Sequence, residues 1–181
     1  WNIGDGTIGQ RYGATVAKYD MMNNLLNGLK NDPFGRRHII DLYQFSDFDE
    51  TKGLNPCAFL TIWSVRKENN DFILDLTLNQ RSNDYLVSGF INKVQYVALQ
   101  MMVAGHLGYK VGKFCHFTQN CHIYDRHFDA IYEILNREPL DIQPILKMKE
   151  NKNFYDYTID DFEISGIENI QKIKSPLELA I

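Results

Sequence analysis

Long apolar runs, paired cysteines and an excess of one sign of charge are all missing from this sequence. It contains no run of about 18 apolar residues, so we expect no membrane-spanning segment. The net charge of −4 gives no electrostatic reason to expect a nucleic acid or a membrane surface as a partner. An anionic substrate would therefore need a local group of arginines.

Cysteine is scarce, with only Cys57, Cys115 and Cys121. An odd number of cysteines without a CxxC pair fits a reduced, cytoplasmic setting better than a disulfide scaffold. Cys115 and Cys121 could join His116 and His122 in a metal site. Their six-residue offset matches no common zinc spacing, so we expect no metal.

What is present suits one soluble domain. The 181 residues, 44% of them hydrophobic, are enough to bury a substantial core. The chain opens at Trp1 within a glycine-rich stretch and without a Met, which we interpret as a missing N-terminal part. We predict a single catalytic domain over residues 1–181.

The apolar spacing predicts alternating helices and strands, and so an α+β domain. The predicted helices cover residues 14–30, 91–107 and 126–136, and the predicted strands cover 38–45, 58–65, 72–78, 111–117 and 145–148. The polar residues 67–71 predict a hairpin between the second and third strands. The helix over 91–107 is apolar on most sides and is expected to be buried.

Two segments carry residues suited to chemistry. Cys57 follows a Pro at a loop-to-strand junction, where a cysteine is more often a small buried hydrophobe than a nucleophile. Arg81, Ser82 and Asp84 end a predicted strand. A guanidinium next to a hydroxyl suits a phosphate, although a solvated turn is the simpler interpretation of this segment alone.

Two further pairs add to this pattern. Arg36 and Arg37 are adjacent and indicate either surface charge or a phosphate site. His122 and Tyr124 lie on the same side of an extended chain, where they could bind a sugar hydroxyl or form a half-buried face. Taken alone, each motif is better explained as surface or packing residues. The occurrence of all these motifs in one chain favours a nucleotide site.

The ordered series NDPxxRR…PC…QRSxD…N…HxY closely resembles the thymidylate synthase family, and the ending FYDYTIDDFEISG…IKSP…AI is similar to that family's C-terminal stretch. The resemblance covers the whole chain, as the C-terminal two-thirds of such an enzyme. It implies an α+β fold with a large mixed β-sheet at a dimer interface, covered by helices. It also implies a methyltransferase of dTMP biosynthesis that reductively methylates dUMP, with 5,10-methylenetetrahydrofolate as cosubstrate.

The resemblance implies catalytic roles for four residues. Cys57 would be the nucleophile that adds to C6 of the pyrimidine, and Arg81 the cation that favours its reactive thiolate. Tyr12 would take part in proton transfers at C5. Asn92 would recognise the base, and because an amide can donate to O4 and accept from N3–H, it favours uracil over cytosine.

The resemblance also implies the substrate contacts. Arg81 and Ser82 would bind the phosphate, and Arg36 and Arg37 would reach it from the partner subunit of a homodimer. His122 and Tyr124 would hold the deoxyribose 3′-hydroxyl. The folate contacts that the resemblance implies are Trp1, Asp84, Tyr124 and Ile181, and Asp84 would contact both substrates. The tail ending at Ile181 would close over the cosubstrate and exclude water.

Some positions depart from the family pattern. Ala58 follows the nucleophile where a His is usual, and SGFIN precedes and includes Asn92 where G-x-P-F-N is usual. These departures keep a runner-up open, a pyrimidine-nucleotide hydroxymethyltransferase acting on dUMP or dCMP. A non-catalytic nucleotide- or RNA-binding relative is a third hypothesis, against which the intact motif series argues.

Overall fold

The computed structural model describes residues 6, 9–50, 53–168 and 170–178. Its helices are α1 (Gly13–Lys18), α2 (Met21–Asn31), α3 (Phe45–Glu50), α4 (Tyr85–Leu107) and α5 (Phe128–Leu135). Its strands are β1 (Ile39–Asp41), β2 (Ala58–Glu68), β3 (Asp71–Asp84), β4 (Lys110–His122), β5 (Ile145–Met148) and β6 (Phe162–Ser165). Short 3-10 turns cover Asp125–His127, Phe154–Asp156 and Ile159–Asp161.

A mixed four-stranded sheet organises the domain, as the α+β prediction required. Its order is β1-β2-β3-β4, in which β3 and β4 are parallel and the other neighbours antiparallel. The predicted hairpin is present as β2–β3, where Glu68 pairs with Asp71 across a two-residue turn. The first residue of this turn, Asn69, has φ of 55°, a left-handed conformation that asparagine tolerates.

The core lies between the inner face of the sheet and helices α2 and α4. Alternate residues of β2 and β3 point inward, and Trp63, Leu74 and Leu76 are each at most 1% exposed. Gln100 of α4 is also buried, and its amide donates to the carbonyls of Leu74 and Lys113. Those carbonyls flank the irregularity in the β3–β4 ladder, so Gln100 satisfies acceptors that the ladder leaves open.

Several predicted boundaries are wrong. The helix over residues 14–30 is two helices, because Asp20 adopts a left-handed conformation (φ 48°) between α1 and α2. The strand over 38–45 is only Ile39–Asp41, since α3 begins at Phe45. The helix over 126–136 begins with a 3-10 turn, and its α-helical part is Phe128–Leu135.

Helix α4 also differs from its prediction. It begins at Tyr85, six residues before the predicted start, because the Asp84 side chain caps it by accepting from the Val87 backbone N–H. Apart from Gly89, its buried residues begin at Tyr96, whereas Phe90 and Ile91 are 63% and 65% exposed. Here α4 extends past the core and faces β5 and β6 across an open apolar cavity of about 810 Å³.

Candidate active site

The loop before β2 brings Cys57 beside Arg81. The Arg81 guanidinium donates from Nε to the Pro56 carbonyl (2.9 Å) and from Nη2 to the Asn55 carbonyl (2.8 Å). Its Nη2 also lies 3.7 Å from the Cys57 sulfur. The two residues meet because β2 and β3 are antiparallel, and the Arg81 N–H donates to the Cys57 carbonyl (2.9 Å). The thiol therefore lies next to a fixed positive charge.

Tyr12 contacts the same loop from the start of α1. Its hydroxyl accepts the Cys57 backbone N–H at 3.0 Å, although 45 residues separate the two in sequence. Burial raises the pKa of Tyr12, and this effect outweighs the lowering by the Cys57 N–H. Burial also raises the pKa of the neighbouring Tyr96 to about 12. Both phenols consequently stay protonated at neutral pH and can donate as well as accept hydrogen bonds.

Arg11 is a residue that sequence reasoning missed. Its side chain is buried, and its guanidinium donates to the carbonyls of Leu54 (2.9 Å), Gly53 (3.2 Å) and Asp47 (3.2 Å). It also lies 4.9 Å from the centre of the Phe48 ring. Arg11 therefore holds the loop before Cys57 from one end while Arg81 holds it from the other. A single arginine in a glycine-rich stretch carries no sequence signal for this role.

Asn92, the predicted base-recognising residue, is oriented by Gln80. Gln80 is 3% exposed and donates through its amide to Asn92 Oδ1 (3.2 Å) and to the Ser82 carbonyl (2.9 Å). The amide oxygen of Gln80 accepts from Asn83 Nδ2 (3.2 Å). Asn92 Oδ1 accepts the hydrogen bond from Gln80, which fixes the orientation of the Asn92 amide. Its Nδ2 amino group therefore points away from Gln80 and is free to donate to a ligand.

The Gln80 network extends to β4, where His116 donates from Nε2 to the Gln80 amide oxygen at 2.9 Å. Thr118 Oγ1 lies 3.3 Å from the same nitrogen. Burial first, and the charge of Lys93 second, lower the pKa of His116, so its ring is neutral at pH 7. Gln80 and His116 were not among the predicted site residues. Gln80 directly precedes Arg81, and this adjacency is the one signal that could have indicated it.

The ends of the parallel strands β3 and β4 gather a third group. Asp84 pairs with His122 in the ladder, and the rings of His122 and Tyr124 meet edge to face at 5.0 Å. The predicted neighbourhood of His122 and Tyr124 is therefore present. His122 Nδ1 donates to Asn120 Oδ1 (2.9 Å), and in the tautomer that carries its hydrogen on Nδ1, Nε2 is an acceptor.

Arg36 and Arg37 are the predicted residues that the fold does not bring to Cys57. The His38 carbonyl accepts from the Trp63 N–H (2.9 Å), so the pair precedes β1 beside that part of β2. Trp63 is six residues beyond Cys57 along the strand, a distance of roughly 20 Å at about 3.3 Å per residue. Both arginines are exposed and out of reach of the thiol of their own chain.

Other predicted residues lie outside these groups. Trp1 and Ile181 fall outside the described residues. Ser82 lies between Arg81 and Asn83 on β3, and Ala58 is buried in the core at 4% exposure rather than directed at the thiol.

Among the described residues, no cluster of three His, Cys, Asp or Glu side chains could hold a metal ion. In this same part of the chain, no helix is long and apolar enough to cross a membrane.

Comparison with known proteins shows the family of this chain. A family profile described as thymidylate synthase matches residues 1–179. The chain belongs to the thymidylate synthase family. It is 51% identical over 184 residues to a thymidylate synthase of Lactococcus lactis subsp. lactis and 50% identical to one of Streptococcus gordonii. Each alignment covers 100% of this chain and 66% of the relative, so the chain spans about two-thirds of these relatives' length.

A solved structure agrees with the fold. The chain matches the thermostable thymidylate synthase A from Bacillus subtilis with a TM-score of 0.85 and 34% identity. The match covers 98% of this chain and 65% of that one. The α+β fold of the family, predicted from the motif series, is thereby confirmed. The hydroxymethyltransferase alternative is not favoured by these relatives, which are named thymidylate synthases.

Proposed function

We propose that this protein is a thymidylate synthase that reductively methylates dUMP to dTMP with 5,10-methylenetetrahydrofolate. The observation that carries the proposal is that Arg81 contacts Cys57 while Gln80, its neighbour on β3, binds Asn92. Arg81 is 3.7 Å from the thiol, and Asn92 is held by Gln80, the strand neighbour of Arg81. A nucleophile, a cation and a fixed amide are what addition to a uracil ring requires.

In the first step, the Cys57 thiolate adds to C6 of the pyrimidine, and negative charge moves onto C5 and O4. The Asn92 Nδ2 group donates to O4, and its Oδ1 retains a lone pair that can accept from N3–H. Cytosine presents an amino group in place of O4 and lacks the N3 hydrogen. The orientation imposed by Gln80 therefore supports uracil as the base.

The phosphate is proposed to bind at Arg81 and Ser82. The contacts of Arg81 with the Cys57 loop use Nε and Nη2, and Nη1 makes none of these bonds. That nitrogen can donate to a phosphate oxygen, so one guanidinium would position both the loop and the substrate. His122 Nε2 is available to accept the 3′-hydroxyl, and the half-exposed Tyr124 hydroxyl lies beside it.

Arg36 and Arg37 are proposed to serve the site of a second subunit. Their distance from their own Cys57 supports a role in another copy. The outer face of the sheet beside them is apolar and open, with Ile39, Ile62 and Phe117 at 48%, 41% and 64% exposure. Pairing of two such faces would bury these side chains in a homodimer and carry each arginine pair across the interface.

The folate cosubstrate is proposed to bind near Asp84, together with Tyr124, Trp1 and Ile181. One carboxylate oxygen of Asp84 caps α4, and the other lies 3.9 Å from Nδ1 of His127, whose ring packs against Tyr124. The protonated Tyr12 hydroxyl, next to the Cys57 loop, is suited to relay protons at C5. The soluble, cytoplasmic setting of such an enzyme is part of the same proposal.

The test is product analysis with the full-length protein, dUMP or dCMP, and methylenetetrahydrofolate. We expect dTMP and dihydrofolate in equal amounts from dUMP and no product from dCMP. Cys57→Ser should abolish turnover, whereas Cys115→Ser, which changes an exposed cysteine, should keep it. A hydroxymethylated nucleotide with tetrahydrofolate returned would establish the runner-up, and turnover by Cys57→Ser would contradict both reactions.

A further inference from the structure

The C-terminal segment, residues 170–178, is held against α5 by a pair of oppositely charged side chains. Arg137 donates to the carbonyls of Gln171 and Lys172, each at 2.8 Å. Glu133 accepts from the backbone N–H groups of Lys174 (3.0 Å) and Ser175 (3.1 Å). Glu133 and Arg137 lie one helical turn apart and also bond to each other, so each fixes the rotamer of the other.

These contacts are directed mainly at the backbone of the segment. Four peptide groups of residues 171–175 are bound by two side chains, Glu133 of α5 and Arg137 just beyond its C-terminal end. A rotamer-fixed pair that binds peptide groups holds the segment whatever its side chains are. The Glu133–Arg137 pair therefore acts as an anchor for the start of the tail.

Further along the tail, His127 makes a second contact. Its ring is fully buried, and Nε2 donates to the Glu178 carbonyl at 2.7 Å. Because a carbonyl only accepts, Nε2 carries the hydrogen. The other nitrogen, Nδ1, is buried without a hydrogen-bond partner among the described residues and lies 3.9 Å from Asp84 Oδ2. A buried unpaired nitrogen is costly and calls for an explanation.

The two nitrogens of His127 thus face two parts of the molecule that are far apart in sequence. One contacts the tail at Glu178, and the other faces the carboxylate that caps α4. Tyr124 packs edge-on against the ring, at 6.2 Å between centroids, and limits its rotation. Docking of the tail at Nε2 therefore determines how Nδ1 is presented to Asp84.

We propose that His127 is a positioning residue that couples docking of the C-terminal segment to the orientation of Asp84, with Glu133 and Arg137 anchoring that segment. The part concerning Asp84 rests on the proposed function, since there Asp84 binds the folate. When the tail is docked, the Glu178 carbonyl holds the ring, and Asp84 is presented in one orientation. When the tail is released, the ring loses this partner and Asp84 loses its fixed neighbour.

Two substitutions of His127 test the roles of its two ring nitrogens separately. His127→Gln places an amide nitrogen where Nε2 was and keeps the donor to Glu178, whereas His127→Asn places it where Nδ1 was and loses that donor. Hydrogen exchange of residues 171–178 in the full-length protein, measured without substrates, reports tail docking. We expect exchange about fivefold faster in His127→Asn, the factor for one net hydrogen bond, and little change in His127→Gln.

The coupling to Asp84 is measured by the KM values of the two substrates. Both variants should raise the KM for methylenetetrahydrofolate severalfold and leave the KM for dUMP within about twofold. Equal exchange rates in the two variants, or equal effects on both KM values, would show that His127 only fills space. If the wild-type protein proves to have no synthase activity, the proposed function fails, while the exchange result still decides the tail contact.

The anchor has its own control on the same helix end. Glu133→Ala removes the acceptor of the Lys174 and Ser175 N–H groups and should speed exchange at those amides by at least fivefold. Glu138→Ala changes an exposed glutamate nearby and should leave exchange unchanged. Unaltered protection of Lys174 and Ser175 in Glu133→Ala would overturn the anchoring role.

Discussion

Replacing Arg11 with methionine removes the guanidinium that holds the loop before Cys57, and keeps a side chain of similar length. The lost contacts include the hydrogen bonds to the carbonyls of Gln10, Leu54, Gly53 and Asp47, at 2.7, 2.9, 3.2 and 3.2 Å. Methionine retains apolar contact with the Phe48 ring. The substitution therefore tests the polar role of Arg11 with little change in packing.

The magnitude follows from the three of these bonds that reach residues 47, 53 and 54. A hydrogen bond from a charged donor contributes about 1.5–3 kcal/mol, and the cost of burying a guanidinium offsets part of this sum. We expect the free energy of unfolding to fall by about 3 kcal/mol, which corresponds to a Tm lower by roughly 6–12 °C for a protein of this size. Without these hydrogen bonds, the loop before Cys57 should also open locally more often. Alkylation of Cys57 should therefore be roughly tenfold faster.

The assay is thermal unfolding of the full-length protein, with alkylation of Cys57 followed by peptide mass spectrometry. Arg126→Met is the matched control, because Arg126 is exposed and the same change there should leave both measurements unaltered. A Tm within 2 °C of wild type for Arg11→Met, with unchanged alkylation, would refute the clamp on which this reasoning depends. A lower Tm with unchanged alkylation would show that Arg11 stabilises the fold without governing the loop.

Three other results are expected. Leu74→Ala should lower the free energy of unfolding by about 2–5 kcal/mol in denaturant titration, since Leu74 is 0% exposed and its removal leaves a cavity. The Lys174 and Ser175 N–H groups, and then Arg137, lower the pKa of Glu133 from 4.5 to about 2, so the contribution of this carboxylate is complete above about pH 4.5 and is lost as pH falls toward 2. The protection of the tail amides, taken as the ratio of the intrinsic to the observed exchange rate at each pH, should fall over that range, and Glu133→Gln should remove this change in protection. Ile62→Asp should shift the protein to monomers in analytical ultracentrifugation and Leu135→Asp should not, because Ile62 lies on the proposed dimer face and Leu135 on α5.

Sequence reasoning was most accurate where local chemistry decides the structure. Strand β5 was predicted with its observed bounds, and the β2–β3 hairpin follows from polar residues between two apolar alternating runs. It was least accurate at boundaries. The break at Asp20 depends on one left-handed residue, and the early start of α4 depends on a cap that Asp84 provides only once β3 has ended there.

The active-site residues divide in the same way. The motif series in the sequence was enough to select Cys57, Arg81, Asn92 and Tyr12, whose roles remain proposals. Arg11 and Gln80 were missed, because a buried arginine or glutamine has no pattern of its own and acquires its role from carbonyls and amides contributed by other segments.

By itself, the sequence determined the family, the fold class and the order of the chemical groups along the chain, because backbone preferences and motif spacing are local properties. Tertiary structure alone decided that Tyr12 contacts Cys57 across 45 residues and that His127 contacts Glu178 across 51. It also decided that Arg36 and Arg37 lie too far from their own thiol. Such contacts arise when packing of the sheet on α4 fixes distances between remote segments, and no local preference encodes those distances.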